Sequence, residues 1–235
     1  MMEAGWPERP VSREHHLEVR RTARYYTLGE TRTAREVWFL VHGYGQLARR
    51  FLRQFRPLVA SGRLLVAPEA LNRYYTEYEP GYHRPDARVG ATWMTREDRA
   101  VEIEDYVAYL DDLYHAVRSG VDTEPEQLVL FGYSQGAATA ARWAASGTAV
   151  FQRIILWGGL LPPDLDRTPA LFRTARLTFV FGRTDAYASA ARVQAESVVL
   201  RAAGLEHQLC WFDGGHEIDA DTLVNLGRAV AGSEP

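Results

Sequence analysis

The chain has 235 residues, 46% hydrophobic and 24% charged, which suits one α/β domain with a sizeable core and excludes a disordered chain. A formal net charge of −3 leaves no basic field to hold nucleic acid or an anionic membrane. All 27 basic residues are arginine, which excludes a lysine nucleophile or Schiff base, and the single cysteine, Cys210, excludes an internal disulfide.

Residues 1–14 read as a tail and residues 15–235 as a single domain. The tail lacks the apolar core of a signal peptide, and no stretch approaches the roughly 18 apolar residues of a membrane span. The lone cysteine suits a reducing compartment, so a soluble cytoplasmic protein is expected. His16 to Leu28 alternate in part and predict an antiparallel strand or hairpin arm. Val37 to Val41 is a short apolar run closed by His42-Gly43, the pattern of a strand buried on both faces. Leu47, Phe51, Phe55 and Leu58 follow at helical spacing, and Leu64 to Pro68 is the next buried strand.

Residues 69–96 break the rhythm. Tyr74, Tyr75, Tyr78, Tyr82 and Trp93 sit among Pro80, Gly81, Pro85 and Gly90 with no period, as in a long functional loop. Thr95 with Asp98 resembles a capping box that opens a helix. Its apolar stripe is Ile103, Tyr106, Val107, Leu110, Leu113, Tyr114 and Val117, and Gly120 ends it. Strands are then expected at Leu128 to Phe131, Ile154 to Trp157, Leu177 to Phe181 and Gln208 to Phe212. Helices are expected at Gln135 to Ala145, Ala190 to Ala203 and Ala220 to Ala231. The alternation implies a mostly parallel twisted sheet with helices on both faces and an antiparallel N-terminal strand.

Gly132-Tyr133-Ser134-Gln135-Gly136 fits G-x-S-x-G, between a buried strand and a helix rich in small residues. That context suits a serine held on a strained turn, with its hydroxyl clear of the sheet and the helix N-terminus beneath it. An ordinary strand-to-helix turn capped by serine is the plainer alternative. A nucleophilic serine needs a base. Downstream lie only His207, at the start of a strand, and His216, just past its end, where crevices of open α/β sheets form. His216 is therefore the candidate base and His207 a half-exposed strand residue. Asp185 follows the preceding strand and is the candidate acid that orients His216; Asp164 and Asp166 are second choices. Two N–H donors should stabilise the developing oxyanion: that of Gln135, after the serine, and that of Tyr44, in the glycine-flanked loop after the first parallel strand. His42 precedes the serine, against the expected order, and reads as a structural residue bonded to backbone. Tyr74, Tyr75 and Trp93 are the candidate substrate surface.

Together LVHGYGQ at 40–46, GYSQGAA at 132–138, GRTDA at 182–186 and GGHEI at 214–218 resemble the phospholipase/carboxylesterase family of α/β hydrolases, which includes acyl-protein thioesterases. The resemblance runs from about residue 37 to 231. It implies an α/β-hydrolase fold and hydrolysis of a small-molecule ester or thioester without metal or organic cofactor. It also implies a Ser134, Asp185 and His216 triad, with oxyanion N–H groups at Tyr44 and Gln135. The acid motif of that family usually continues toward Val-Pro, whereas here Ala186-Tyr187-Ala188 follows.

Other readings fit less well. Gly43, Gly45 and Ala48 imitate a dinucleotide fingerprint, yet the acidic residue expected about 20 positions on is missing. His216-Glu217 has no histidine at Ala220 for a zinc helix, and His15-His16 is a tail pair without a second cluster. A binding protein on the same scaffold would be expected to lose a triad member.

Overall fold

In the computed structural model of the protein the described residues are 12–30, 32–60, 62–77, 86–122, 125–165 and 175–231. Seven strands form one sheet in the order β1-β3-β2-β6-β7-β8-β9. They are β1 (Tyr25–Gly29), β2 (Glu36–Val41), β3 (Arg63–Pro68), β6 (Gln127–Tyr133), β7 (Arg153–Trp157), β8 (Arg176–Gly182) and β9 (His207–Phe212). Only β1 runs antiparallel, paired with β3; every other pairing is parallel. The expected antiparallel strand is thus present but short, and residues 12–24 before it take no regular structure.

The apolar runs form strands because both faces of the sheet are covered. Along β2, Val37, Phe39 and Val41 enter one core with α2 (Arg99–Ser119), α3 (Gln135–Ser146) and α4 (Ala190–Ala202). Trp38 and Leu40 point the other way, into a core with Phe51, Phe55, Leu58 and Leu223. That second layer comprises α1 (Ala48–Leu52), a 3-10 turn at Arg53–Leu58 and α5 (Ala220–Ala231). The helix predicted over Leu47 to Leu58 is broken this way because Pro57 removes a donor from its last turn.

Two expectations are corrected. Residues 69–96 are not a periodless loop: β4 (Asn72–Tyr75) and β5 (Val89–Thr92) pair antiparallel as a separate two-stranded sheet. Tyr78, Tyr82 and their neighbours at 78–85 lie outside the described residues. The capping box does not form either. Thr95 donates its N–H to Glu102 (2.5 Å), and α2 starts only after Asp98, whose φ is +46°. The predicted apolar stripe is otherwise the buried face, with Ile103 partly buried at its margin, and Gly120 caps the helix.

Candidate active site

The chain moves from β2 outward to β3, then crosses to β6 on the other side of β2. Ligands of open α/β sheets bind where such a switch leaves a crevice beyond the strands' carboxyl ends. Here those ends are in register: Val41 pairs with Gly132, Tyr133 with Trp157, Trp157 with Val180, and Gly182 with Phe212. The residues that follow them, Tyr44, Ser134, Gly158, Asp185 and His216, therefore emerge along one rim.

Ser134 sits on the turn from β6 into α3 with φ +54° and ψ −118°, a conformation that costs a non-glycine residue of order 1–3 kcal/mol. Its N–H donates to the Trp157 carbonyl at 2.8 Å. The flanking glycines follow from space. A Cβ on Gly132 would stand 2.3 Å from the Gly136 carbonyl oxygen, and one on Gly136 would stand 2.2 Å from that of Val41. No side chain fits at either position, which is the physical content of the pentapeptide.

Asp185 Oδ2 accepts a hydrogen bond from His216 Nδ1 at 2.8 Å. That leaves Nε2 as an acceptor for the Ser134 hydroxyl, 2.9 Å away. The Asp185 side chain is 1% exposed and that of His216 18%. Asp185 Oδ1 takes the Tyr187 N–H at 2.8 Å, so both carboxylate oxygens are engaged. The structure thus brings together three side chains that are 82 and 31 positions apart in sequence.

Residues that the sequence reading did not single out hold this line in place. The Tyr133 hydroxyl donates to the His216 carbonyl (2.5 Å), and the Tyr133 ring lies 5.3 Å from the imidazole. Burial pushes that hydroxyl up to about 12, aided by Asp185 and Glu217, so it stays protonated as a donor. Trp157 Nε1 donates to the Glu217 carbonyl at 2.8 Å. Glu217 turns back to accept the Gly215 N–H at 2.9 Å, closing the histidine loop. Gly158, with φ +63°, lies under the imidazole, where a Cβ would come within 2.8 Å of His216 Cε1. The only hint of this in sequence is the Gly158-Gly159 pair ending a buried strand.

The loop after β2 is fastened on every side. Gly43 N–H goes to Gln46 Oε1 (2.8 Å) and Gly45 N–H to the Ala91 carbonyl (2.9 Å). Tyr44 stands between them, and its N–H has no such partner among the described residues. The N–H of Gln135 opens α3 and, like any first helical N–H, has no acceptor within the helix. The Gln135 side chain donates to the Met94 carbonyl (2.9 Å) and accepts the Trp93 N–H (3.2 Å), stapling the end of the β4–β5 hairpin to the serine helix.

The other named residues lie outside this line. Tyr74, half-buried, packs on Tyr44 with ring centroids 5.5 Å apart, while Tyr75 is exposed. Trp93 is interior, at 1% exposure, with its indole N–H on the His42 carbonyl (2.8 Å), so it supports the loop instead of offering a substrate surface. His42 is fully buried: Nδ1 donates to the Gly43 carbonyl (2.8 Å) and Nε2 accepts the Ala70 N–H (3.1 Å). His207 is buried, not half-exposed, because α4 covers it. Its Nδ1 donates to the Leu205 carbonyl and its Nε2 accepts the Ser197 hydroxyl at 2.7 Å. No carboxylate completes that pair among the described residues, and Ser197 lies 2% exposed. Asp164 is taken by Arg142 and Arg99, which hold its carboxyl well below the usual carboxylate range; Asp166 lies outside the described residues. His16 is not without companions, since Asp98 (2.9 Å) and Glu14 (3.3 Å) reach it, all three exposed.

The sequence profile of the Dienelactone hydrolase family matches residues 43–219, and the chain belongs to that family of α/β hydrolases. No curated protein matches the sequence. Among solved structures, esterase PE8 is 21% identical with TM-score 0.64, covering 88% of this chain and 99% of that one. Acyl-protein thioesterase 2 of Zea mays is 15% identical with TM-score 0.66, covering 89% and 98%. A carboxylesterase of Mesorhizobium loti is 20% identical with TM-score 0.65, covering 89% and 95%. These likenesses agree with the α/β-hydrolase fold expected from the motifs. Among the described residues, no helix is long and apolar enough to cross a membrane.

Proposed function

We propose that the chain is a serine esterase or thioesterase that works through an acyl-enzyme, with Ser134 as nucleophile, His216 as base and Asp185 as its orienting acid. One observation carries the reading: hydroxyl, imidazole and carboxylate lie in line at 2.9 and 2.8 Å on a strained strand-to-helix turn. His216 Nε2 takes the serine proton as Oγ attacks the carbonyl carbon. The N–H groups of Tyr44 and Gln135 stabilise the oxyanion, each worth roughly 2.7–4 kcal/mol of barrier. Nε2 then gives its proton to the departing alcohol or thiol, and water attacks the acyl-enzyme by the same route. Side chains and water account for every proton and electron pair in these steps, and family membership favours a small-molecule ester or thioester as the substrate. The lone cysteine fits work in the cytoplasm.

A fluorophosphonate probe should label the wild-type chain at Ser134. Ser134→Ala should abolish both labelling and hydrolysis of p-nitrophenyl acetate. Labelling that survives the substitution would sink the assignment.

A further inference from the structure

The two flanks of the serine carry different aromatic groups, and strand order decides which lies where. β2 and β3 are on one side of β6, and β7, β8 and β9 on the other. The Tyr44–Tyr74 pair, from the loop after β2 and the β4–β5 hairpin, belongs to the first flank. Tyr187, two residues beyond Asp185, belongs to the second. Its ring centroid is 4.6 Å from that of the His216 imidazole. Its backbone is fixed by the bond from its N–H to Asp185, yet the residue is 73% exposed. A tyrosine anchored by its backbone beside the imidazole, with most of its surface bare, is a ready platform for something flat.

Ester chemistry says what would rest there. The leaving oxygen takes its proton from His216 Nε2, so it departs on the imidazole's side of the serine. The group attached to that oxygen passes next to whatever flanks the imidazole, and here that is Tyr187. We propose, building on the catalytic reading of Ser134 and His216, that Tyr187 is the leaving-group platform. It makes the enzyme selective for esters whose alcohol part carries an aromatic ring, while the Tyr44–Tyr74 pair borders the acyl part. Offset or edge-to-face packing on a tyrosine supplies the preference.

Benzyl acetate and ethyl acetate test this, because they share an acyl group and release alcohols of similar acidity. Their kcat/KM values report acylation, the step in which the alcohol leaves. The wild type should favour the benzyl ester. Tyr187→Phe should keep the benzyl-to-ethyl ratio within about twofold, and Tyr187→Ala should lower it roughly 5- to 10-fold. The benzyl butyrate to benzyl acetate ratio, which reads the acyl flank, should move less than about twofold. A benzyl-to-ethyl ratio untouched by Tyr187→Ala would overturn the proposal. So would an acyl ratio that moves as much, or a probe-labelled wild type without benzyl preference. A wild type that the fluorophosphonate does not label would overturn the catalytic reading, and this one with it.

Discussion

At the scale of single residues, His42 shows how a titratable group can matter without touching substrate. It is sealed between Phe51 and Trp93, with both ring nitrogens committed to backbone. Desolvation pulls its pKa down to about 4, although the bond to Gly43 and the charge of Glu69 oppose the shift. The unfolded chain takes up this proton near the ordinary value of about 6.5, the folded one only near 4. Between those values the unfolded state binds more protons, so stability falls as pH drops through the window, by up to about 1.4 kcal/mol per pH unit. Urea denaturation at pH 7, 6 and 5 should show that fall, and His42→Gln should flatten its slope. A wild-type midpoint flat across the range would refute this account. His42 was readable as a structural residue because it precedes the serine. His207 was not, because strand alternation says nothing of a helix that arrives to cover it.

At the scale of elements, the end of β7 is as important as the better-marked end of β6. Gly158 combines a positive φ with contact to the imidazole, so a methyl group there is opposed twice. Gly158→Ala should cost roughly 1–2 kcal/mol in backbone strain. It should also displace His216 enough to lower kcat roughly 100-fold. Far-UV circular dichroism should remain that of the wild type, and an unchanged kcat would count against the packing described. The buried strands were legible to within a residue or two because a continuous apolar run needs cover on both faces. The β4–β5 hairpin was not legible. It owes its place to the Gly45–Ala91 bond and to Gln135, both remote in sequence. The start of α2 was misread for a similar reason: the Thr95-to-Asp98 spacing fits a capping box, but Glu102 claims the Thr95 N–H and His16 binds the Asp98 carboxylate.

For the whole molecule, the rim opposite the site is locked by Arg63, whose importance no motif announces. Its guanidinium donates to Glu36 (2.8 Å) and to the carbonyls of Leu58 (2.9 Å) and Gly227 (3.0 Å), and lies over the Trp38 ring. Two strands, the 3-10 turn and α5 meet there, and both charged side chains are largely buried. Arg63→Met would leave the buried Glu36 carboxylate without its counter-charge, with only the Trp38 indole N–H still donating to it. It should cost about 3–5 kcal/mol by urea denaturation, while kcat per folded molecule stays within about twofold. A loss under about 1 kcal/mol would show the lock to be idle. The in-register rim has a different consequence. Its five loops hang from five strands, and the last of them, β9, is an edge strand paired only with β8. On the proposed mechanism, the hydroxyl of residue 134 would acquire its reactivity during refolding only once β9 has docked and brought His216 to it. Covalent capture at that one atom would serve as a clock for completion of the fold.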